Sequence, residues 1–420
     1  MKVTIIAPGS RGDVQPYVAL GKGLKQAGHT VGILASQDFQ GLITEHGLQF
    51  LDMGGSMQGI AQKMQSLLEK GNFLKILSSM GATAKSLAGQ AAVNGLAACQ
   101  GSDLILAGLG GLFSGLAISE KLGIPFMQAY YFPFTPTCEF PNALAPLPPG
   151  HLPAWVNRLS YRVVQQMMWQ NYRGADNLAR RQVLKMEPAP FQGPFASLQQ
   201  HRQPVLYGYS PLVIRPPEDW GDFIHVTGYW FLDPPSGWEP PLDLVNFLQS
   251  GPPPVYIGFG SMVNSQPGET TNLVLQALAR TGQRGVLSAG WGGLKKEVLP
   301  ETVFMIDSIP FSWLFPRMTA VVHHGGAGTT SMGLRAGVPS IVTPFMGDQP
   351  FWGQRVHELG VGPRPIPLRR LTVDQLAEAI GCAQSDTAMR ENAARLGECI
   401  RAEHGIARAV EVIEKVIGNK

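Results

Sequence analysis

Charge is scarce in this chain. Asp, Glu, Lys and Arg together make up 15% of its 420 residues, and the formal net charge is only +3. Nucleic-acid binders carry a concentrated basic field, so that class of partner is set aside. Cysteine is scarcer still. Cys99, Cys138, Cys382 and Cys399 stand far apart, with no CxxC pair and no metal-ligand spacing. Reduced thiols in a cytosolic protein are therefore expected. Residues 104–119 are uncharged, but glycines interrupt them and they fall short of the ~20 apolar residues a spanning helix needs. The apolar part of the first ten residues is too short for a signal peptide. What the chain does have is 44% hydrophobic residues over a length that suits two or three domains with sizeable cores.

Short β-rich runs alternate with helical periodicity from the start. Residues 2–8 read as a strand feeding the turn Gly9-Ser10-Arg11-Gly12-Asp13, and a helix follows with Pro16 in its first turn. Further strands are expected near residues 29–35, 48–53, 104–108, 124–130, 205–209 and 224–228. Residues 58–99 read as an amphipathic helix pair that packs on the sheet, covers an apolar acceptor or lies on a membrane surface. Alternation of this kind makes a parallel, doubly wound sheet. Residues 233–241, DPPSGWEPP, are a proline-rich connector. The pattern then restarts, with strands near 254–261, 285–289, 303–307, 320–322 and 340–343, and a mostly helical end from 371. Neither half opens on GxGxxG, which argues against a dinucleotide cofactor. Asp219 and Asp222 flank Trp220 and Gly221 with no supporting strand, so no DxD metal motif is read there.

The densest chemistry lies in residues 320–349, AVVHHGGAGTTSMGLRAGVPSIVTPFMGDQ. A buried strand breaks at Gly325-Gly326-Ala327-Gly328 and enters a helix over 329–336, which Gly337 and Pro339 stop. Strand, glycine turn and helix N-terminus form an anion site, because unpaired N–H groups and the positive helix end face the ligand. Thr329, Thr330, His323 and His324 can add donors. A plain βα turn with glycines for tight packing is the simpler alternative.

The run HHGGAGTT, followed by PFMGDQPFWG, resembles the donor-binding signature of UDP-sugar-dependent glycosyltransferases of the GT-B fold. Within that superfamily GSRGDVQPY is similar to the start of sterol glucosyltransferases and of bacterial enzymes that glycosylate antibiotics and terpenoids. The likeness covers the architecture of nearly the whole chain, although residues 55–230 carry no motif of their own. It implies two Rossmann-like halves facing a cleft, an acceptor-binding domain over 1–232 and a donor-binding domain over 242–420, with the last helix free to pack back on the first. It also implies a UDP-sugar co-substrate, a lipophilic acceptor and no cofactor.

Residue by residue, the likeness makes Asp13 the general base of an inverting displacement. Without the family, capping the first helix is an equal reading of that carboxylate. Relatives with His at this turn orient it with an Asp after the fourth strand, where this chain has Gly108. For the donor the family implies Ser10, Arg11, Ser261, His323, His324, Gly326, Ala327, Gly328 and Thr329 near the diphosphate, and Asp348 and Gln349 at the sugar. Which histidine meets phosphate is open. Plant relatives stack a Trp on the base where this chain has Ser308, which leaves Trp291 or Phe311 for stacking and Ile309 for backbone contacts. The helix end replaces a metal, so no metal site is expected. Tyr130, Tyr131, Phe132 and Phe134 line an apolar acceptor site or belong to the core. The expected product is a β-glycoside, most simply from UDP-glucose, with cytoplasmic location and loose membrane attachment. The competing readings are a non-catalytic nucleotide-sugar-binding protein and a GT-B enzyme using rhamnose, GlcNAc or a deoxysugar.

Overall fold

The structure, a computed structural model, describes residues 1–55, 73–145, 147, 152–259, 267–288 and 299–418, with backbone alone for 73–77 and 267. The chain divides into two compact units. One comprises Met1–Leu232 with His404–Lys420, the other Asp233–Glu403.

The first unit is built on seven parallel strands: β1 (Lys2–Ile6), β2 (Thr30–Ala35), β3 (Gln49–Asp52), β4 (Leu104–Ala107), β5 (Phe126–Tyr130), β6 (Val205–Tyr207) and β7 (Ile224–Val226). They lie in the order β3-β2-β1-β4-β5-β6-β7. Apolar side chains alternate along β1 because both faces of the sheet are covered. Val3 and Ile5 join one core with Val14, Tyr17 and Leu20 of helix α1 (Arg11–Gln26). Ile6 joins the other, which holds Phe113 of α3 (Leu112–Leu122) and Trp169 of α4 (Ala154–Ala179). The long helix α2 (Phe73–Cys99) packs along α4. Gly81 of α2 lies where a methyl group would fall 2.7 Å from the Asn171 carbonyl, so the crossing is close.

The second unit has five parallel strands: β8 (Val255–Gly258), β9 (Gly285–Ser288), β10 (Val303–Ile306), β11 (Ala320–His323) and β12 (Ser340–Val342), in the order β10-β9-β8-β11-β12. Helices α5 (Pro267–Thr281) and α8 (Val373–Ser385) supply Val274, Leu278, Leu376 and Ile380 to its core. Helices α6 (Ala327–Ala336), α7 (Gln349–Glu358) and α9 (Thr387–Arg401) also belong to it. The proline-rich stretch is anchored here: Asp233 pairs with Arg335 at 3.0 Å, and Trp238 packs edge-on to Trp313.

The last helix, α10 (Gly405–Gly418), returns to the first unit. Ala409, Val410 and Ile413 are buried in the same core as Leu20 and Leu24 of α1. A methyl on Gly23 would meet Ile406 at 2.2 Å, so α10 lies close against α1.

One element begins earlier than its sequence implies. Pro16 would suit the first turn of α1, but the helix starts at Arg11, so Pro16 lies in the second turn. Asp13 is thereby moved from the preceding turn into the helix.

Candidate active site

In an open parallel sheet, ligands gather beyond the carboxyl ends of the strands, where the strand order reverses. In the first unit that point lies between β1 and β4, and the residues after those strands are Ala7 to Asp13 and Gly108. Gly9 makes the turn at φ +140°, and a Cβ on it would fall 2.5 Å from Asp13 Oδ2, so the carboxylate is tucked against bare backbone. Ser10 is the N-cap of α1 and Asp13 its third residue. Asp13 Oδ2 accepts from the Ser10 N–H (2.7 Å) and from the Ser10 hydroxyl (2.8 Å). This is the carboxylate half of a capping box, which also suits the positive end of the helix. Asp13 Oδ1 accepts from the Tyr131 hydroxyl.

Capping and display at the switch point are therefore combined in one residue, with one oxygen assigned to each. The Ser10 hydroxyl, expected near a diphosphate, is spent on Asp13. Arg11 is exposed at the start of α1, and its Nε donates to Gln15 (3.2 Å).

Gly108 has its own reason to lack a side chain. A Cβ there would fall 1.8 Å from the hydroxyl of Tyr17, which is buried and donates to the Ala129 carbonyl (2.6 Å). A second acid cannot stand behind Asp13 in this packing, and Tyr131 takes the place beside it.

In the aromatic run at the end of β5 the structure separates the four rings. Tyr130, Phe132 and Phe134 are buried and pack on one another and on Tyr207 and Phe195. The Tyr130 hydroxyl donates to Gln128 (2.9 Å). These three are core. Tyr131 alone of the four reaches the Asp13 turn.

In the second unit the order reverses between β8 and β11, and the glycine turn follows β11. His323 is fully buried, and its Nδ1 accepts the Gly325 N–H (3.1 Å). Its proton therefore sits on Nε2, which has no hydrogen-bond partner. Burial, with His324 beside it, pushes the ring down to about 3. His324 is half-buried, is pushed down to about 4 by desolvation, and has an unpartnered Nδ1. A Cβ on Gly326, the N-cap of α6, would fall 2.6 Å from His324 Nε2. The His324 ring thus lies over the helix entrance, while His323 braces the turn from beneath.

The N–H groups of Ala327, Gly328 and Thr329 open α6 and have no carbonyl a turn earlier to bond. Gly328 is exposed, and nothing lies within 4 Å of where its Cβ would be. The Thr330 hydroxyl is buried without a partner. Neutral rings, open amides and an unpartnered hydroxyl around one helix end make a receptive place for an anion.

The remaining residues expected at the donor divide. Gln349 is buried, and its Oε1 accepts the N–H groups of Phe345 (2.7 Å) and Met346 (3.1 Å), so it shapes the loop before α7. Asp348, at the N-cap of α7, is half-buried, and its Oδ2 accepts the Trp352 indole N–H (2.8 Å). Phe311 stacks on Phe315 with centroids 4.3 Å apart and sits edge-on to Tyr256, so one face of its ring is used internally. Ile309 is half-buried two residues earlier. Ser261 and Trp291 lie outside the described residues.

Comparison with known proteins bears on the family and the fold. Residues 3–141 match the Glycosyltransferase family 28 N-terminal domain, and residues 286–417 match the Erythromycin biosynthesis protein CIII-like C-terminal domain. The calicheamicin glycosyltransferase CalG4 superposes with a TM-score of 0.68 at 19% identity, covering 99% of this chain and 98% of that one, and so shares the GT-B fold. A sterol 3-beta-glucosyltransferase of Cryptococcus neoformans is 40% identical over 98% of this chain, which spans only 27% of the fungal protein. Sterol 3-beta-glucosyltransferase UGT80B1 of Arabidopsis thaliana is 36% identical over 99% of this chain and 68% of its own length. With that plant enzyme matched across two thirds of its length, the chain belongs to the sterol 3-beta-glucosyltransferase family of glycosyltransferases.

Proposed function

We propose that this chain transfers glucose from UDP-glucose to a hydroxyl of a sterol or similarly lipophilic alcohol, with inversion and without a metal. The observation that carries the reading is the Asp13 carboxylate. It stands at the switch point of its sheet, one oxygen fixed by Ser10 and the other turned to Tyr131.

In the proposed step Asp13 takes the acceptor's hydroxyl proton as that oxygen attacks the anomeric carbon. The bond to UDP breaks as the new glycosidic bond forms, so an α-linked donor gives a β-glycoside. Efficient transfer needs the carboxylate ~3 Å from the hydroxyl. The leaving diphosphate gains charge, and the N-terminus of α6 with His324 and Thr329 is suited to receive it through aimed dipoles and donors. His323 is given a structural part, since its Nδ1 is engaged within the turn. Asp348 is retained as a sugar contact, and Gln349 as the residue that shapes its loop. A lipophilic acceptor further implies that the enzyme works at a membrane surface.

The test is turnover of UDP-glucose with cholesterol and a panel of terpenoids and polyphenols, read as UDP release and by mass of the product. Activity should survive excess EDTA, and the product should be the β-anomer. A donor bound and never consumed with any acceptor would instead support a non-catalytic nucleotide-sugar-binding protein.

A further inference from the structure

Helix α4 turns toward solvent a face that helices usually bury. Trp155, Leu159, Val163 and Met167 are 69%, 46%, 48% and 38% exposed, while Tyr161, Gln165 and Trp169 of the same helix are buried. Four-residue steps keep the exposed set on one stripe. Twelve residues at 1.5 Å per residue make that stripe about 18 Å long. Arg158 and Arg162 are exposed within it. The one acid of α4, Asp176, is buried and paired with Arg180 at 2.9 Å.

Helix α2 extends the surface. It contains no Asp or Glu, and Met80, Lys85 and Leu87 are exposed on it. A groove of about 490 Å³ runs beside their crossing, lined by Gly81, Lys85, Met167 and Gln170 among others. At the far end of the stripe Phe191 is exposed, with its carbonyl accepting from Gln170 (2.8 Å) and the Arg173 guanidinium over its ring.

Single exposed apolar residues are ordinary, but a continuous row is a docking surface. Its charges decide the partner. Every exposed charge on these two helices is positive, so a complementary surface must offer apolar depth behind a layer of negative groups. A bilayer with anionic headgroups has that structure. The tryptophan at the helix end is the side chain that favours such an interface. A second copy of this chain would instead bring like charges together across a two-fold axis.

We propose that α4, with the adjoining face of α2, lays this chain on the surface of an anionic lipid bilayer. The proposal names the surface for the membrane reading above and rests on that reading for its purpose, not for its test. No helix among the described residues is long and apolar enough to cross a membrane.

The experiment is co-sedimentation of the full chain with vesicles of phosphatidylcholine, with and without phosphatidylserine. The parent should pellet with the anionic vesicles and be released by salt. The double variant Trp155→Ala, Leu159→Ser should lower partitioning about tenfold or more. Arg158→Gln with Arg162→Gln should remove the preference for phosphatidylserine, a loss of roughly 10- to 30-fold. All four side chains are exposed, so thermal melts should match the parent. Asp13→Asn should pellet like the parent whether or not Asp13 is the base, which keeps a failed activity reading apart from a failed surface. Three results would overturn the proposal: no binding to either vesicle, variants that pellet like the parent, or a solution dimer that these variants convert to monomer.

Discussion

The Tyr131 hydroxyl and the Asp13 carboxylate are hydrogen-bonded across the carboxyl end of the first sheet, between the strand β5 exit and the start of α1. The same carboxylate closes the capping box with Ser10 through its other oxygen. A carboxylate held by donors on both oxygens keeps one orientation, although an Asp has no tautomer for a partner to select.

Asp13→Asn separates capping from catalysis. The amide oxygen can still accept the Ser10 N–H, so the fold should hold and UDP-glucose should bind within a few-fold of normal. Turnover should fall by ~10² to 10⁴, the usual worth of a general base. Near-normal turnover at saturating substrates would move the base elsewhere. Two other ionisable side chains of the first unit, His29 and Glu139, are already engaged. His29 precedes β2, at the opposite end of the sheet, and pairs with Glu414 at 3.0 Å, while Glu139 accepts the Glu218 N–H at 2.6 Å.

Tyr131→Phe removes one donor to an ionised group, worth about 1.5 kcal/mol or a tenfold loss in kcat/KM. The KM for UDP-glucose should not change. An unchanged kcat/KM would reduce Tyr131 to packing.

The two adjacent histidines should give opposite signatures. His324→Ala should weaken UDP binding roughly 10- to 100-fold, as for a hydrogen bond to a charged group, with little effect on folding. His323→Ala leaves the Gly325 N–H without its acceptor in a buried turn and should cost about 1–3 kcal/mol of stability. Calorimetry with UDP and urea melts distinguish them, and reversed results would exchange the two roles.

Acid should loosen the second unit through His323. The folded ring resists protonation down to about 3 because it is buried, whereas an unfolded His takes a proton near pH 6.5. Below that pH the unfolded chain binds more protons, so stability falls as pH falls. At pH 5 the ring should account for about 2 kcal/mol of the loss. Urea unfolding of the parent at pH 7 and pH 5, set against His323→Gln, should show that much less acid sensitivity in the variant. Equal sensitivity would mean that His323 is protonated freely in the folded chain.

The strands were legible because two-sided burial writes them as short β-branched runs, such as VTII at 3–6 and AVVH at 320–323. The glycine turn was legible because few other residues permit it. Side-chain direction was not. Tyr130 to Phe134 read as one aromatic cluster, yet three face the core and one faces Asp13, because the chain leaves the strand there and no repeating period tells which way each ring turns. Nothing local in the sequence reveals that the Gln349 oxygen accepts from the Phe345 and Met346 N–H groups. Gly108 marked a missing acid, but only the packing shows that Tyr17 fills its space.

The return of α10 to the first unit has a consequence for synthesis. The Rossmann-like half that emerges first from the ribosome lacks Val410 and Ile413, which seal the core over Leu20 and Leu24. The half made second has all its strands and core helices by residue 403. The order of completion is therefore the reverse of the order of translation, and the first half spends the making of 171 residues, 233 to 403, with one helix still to come.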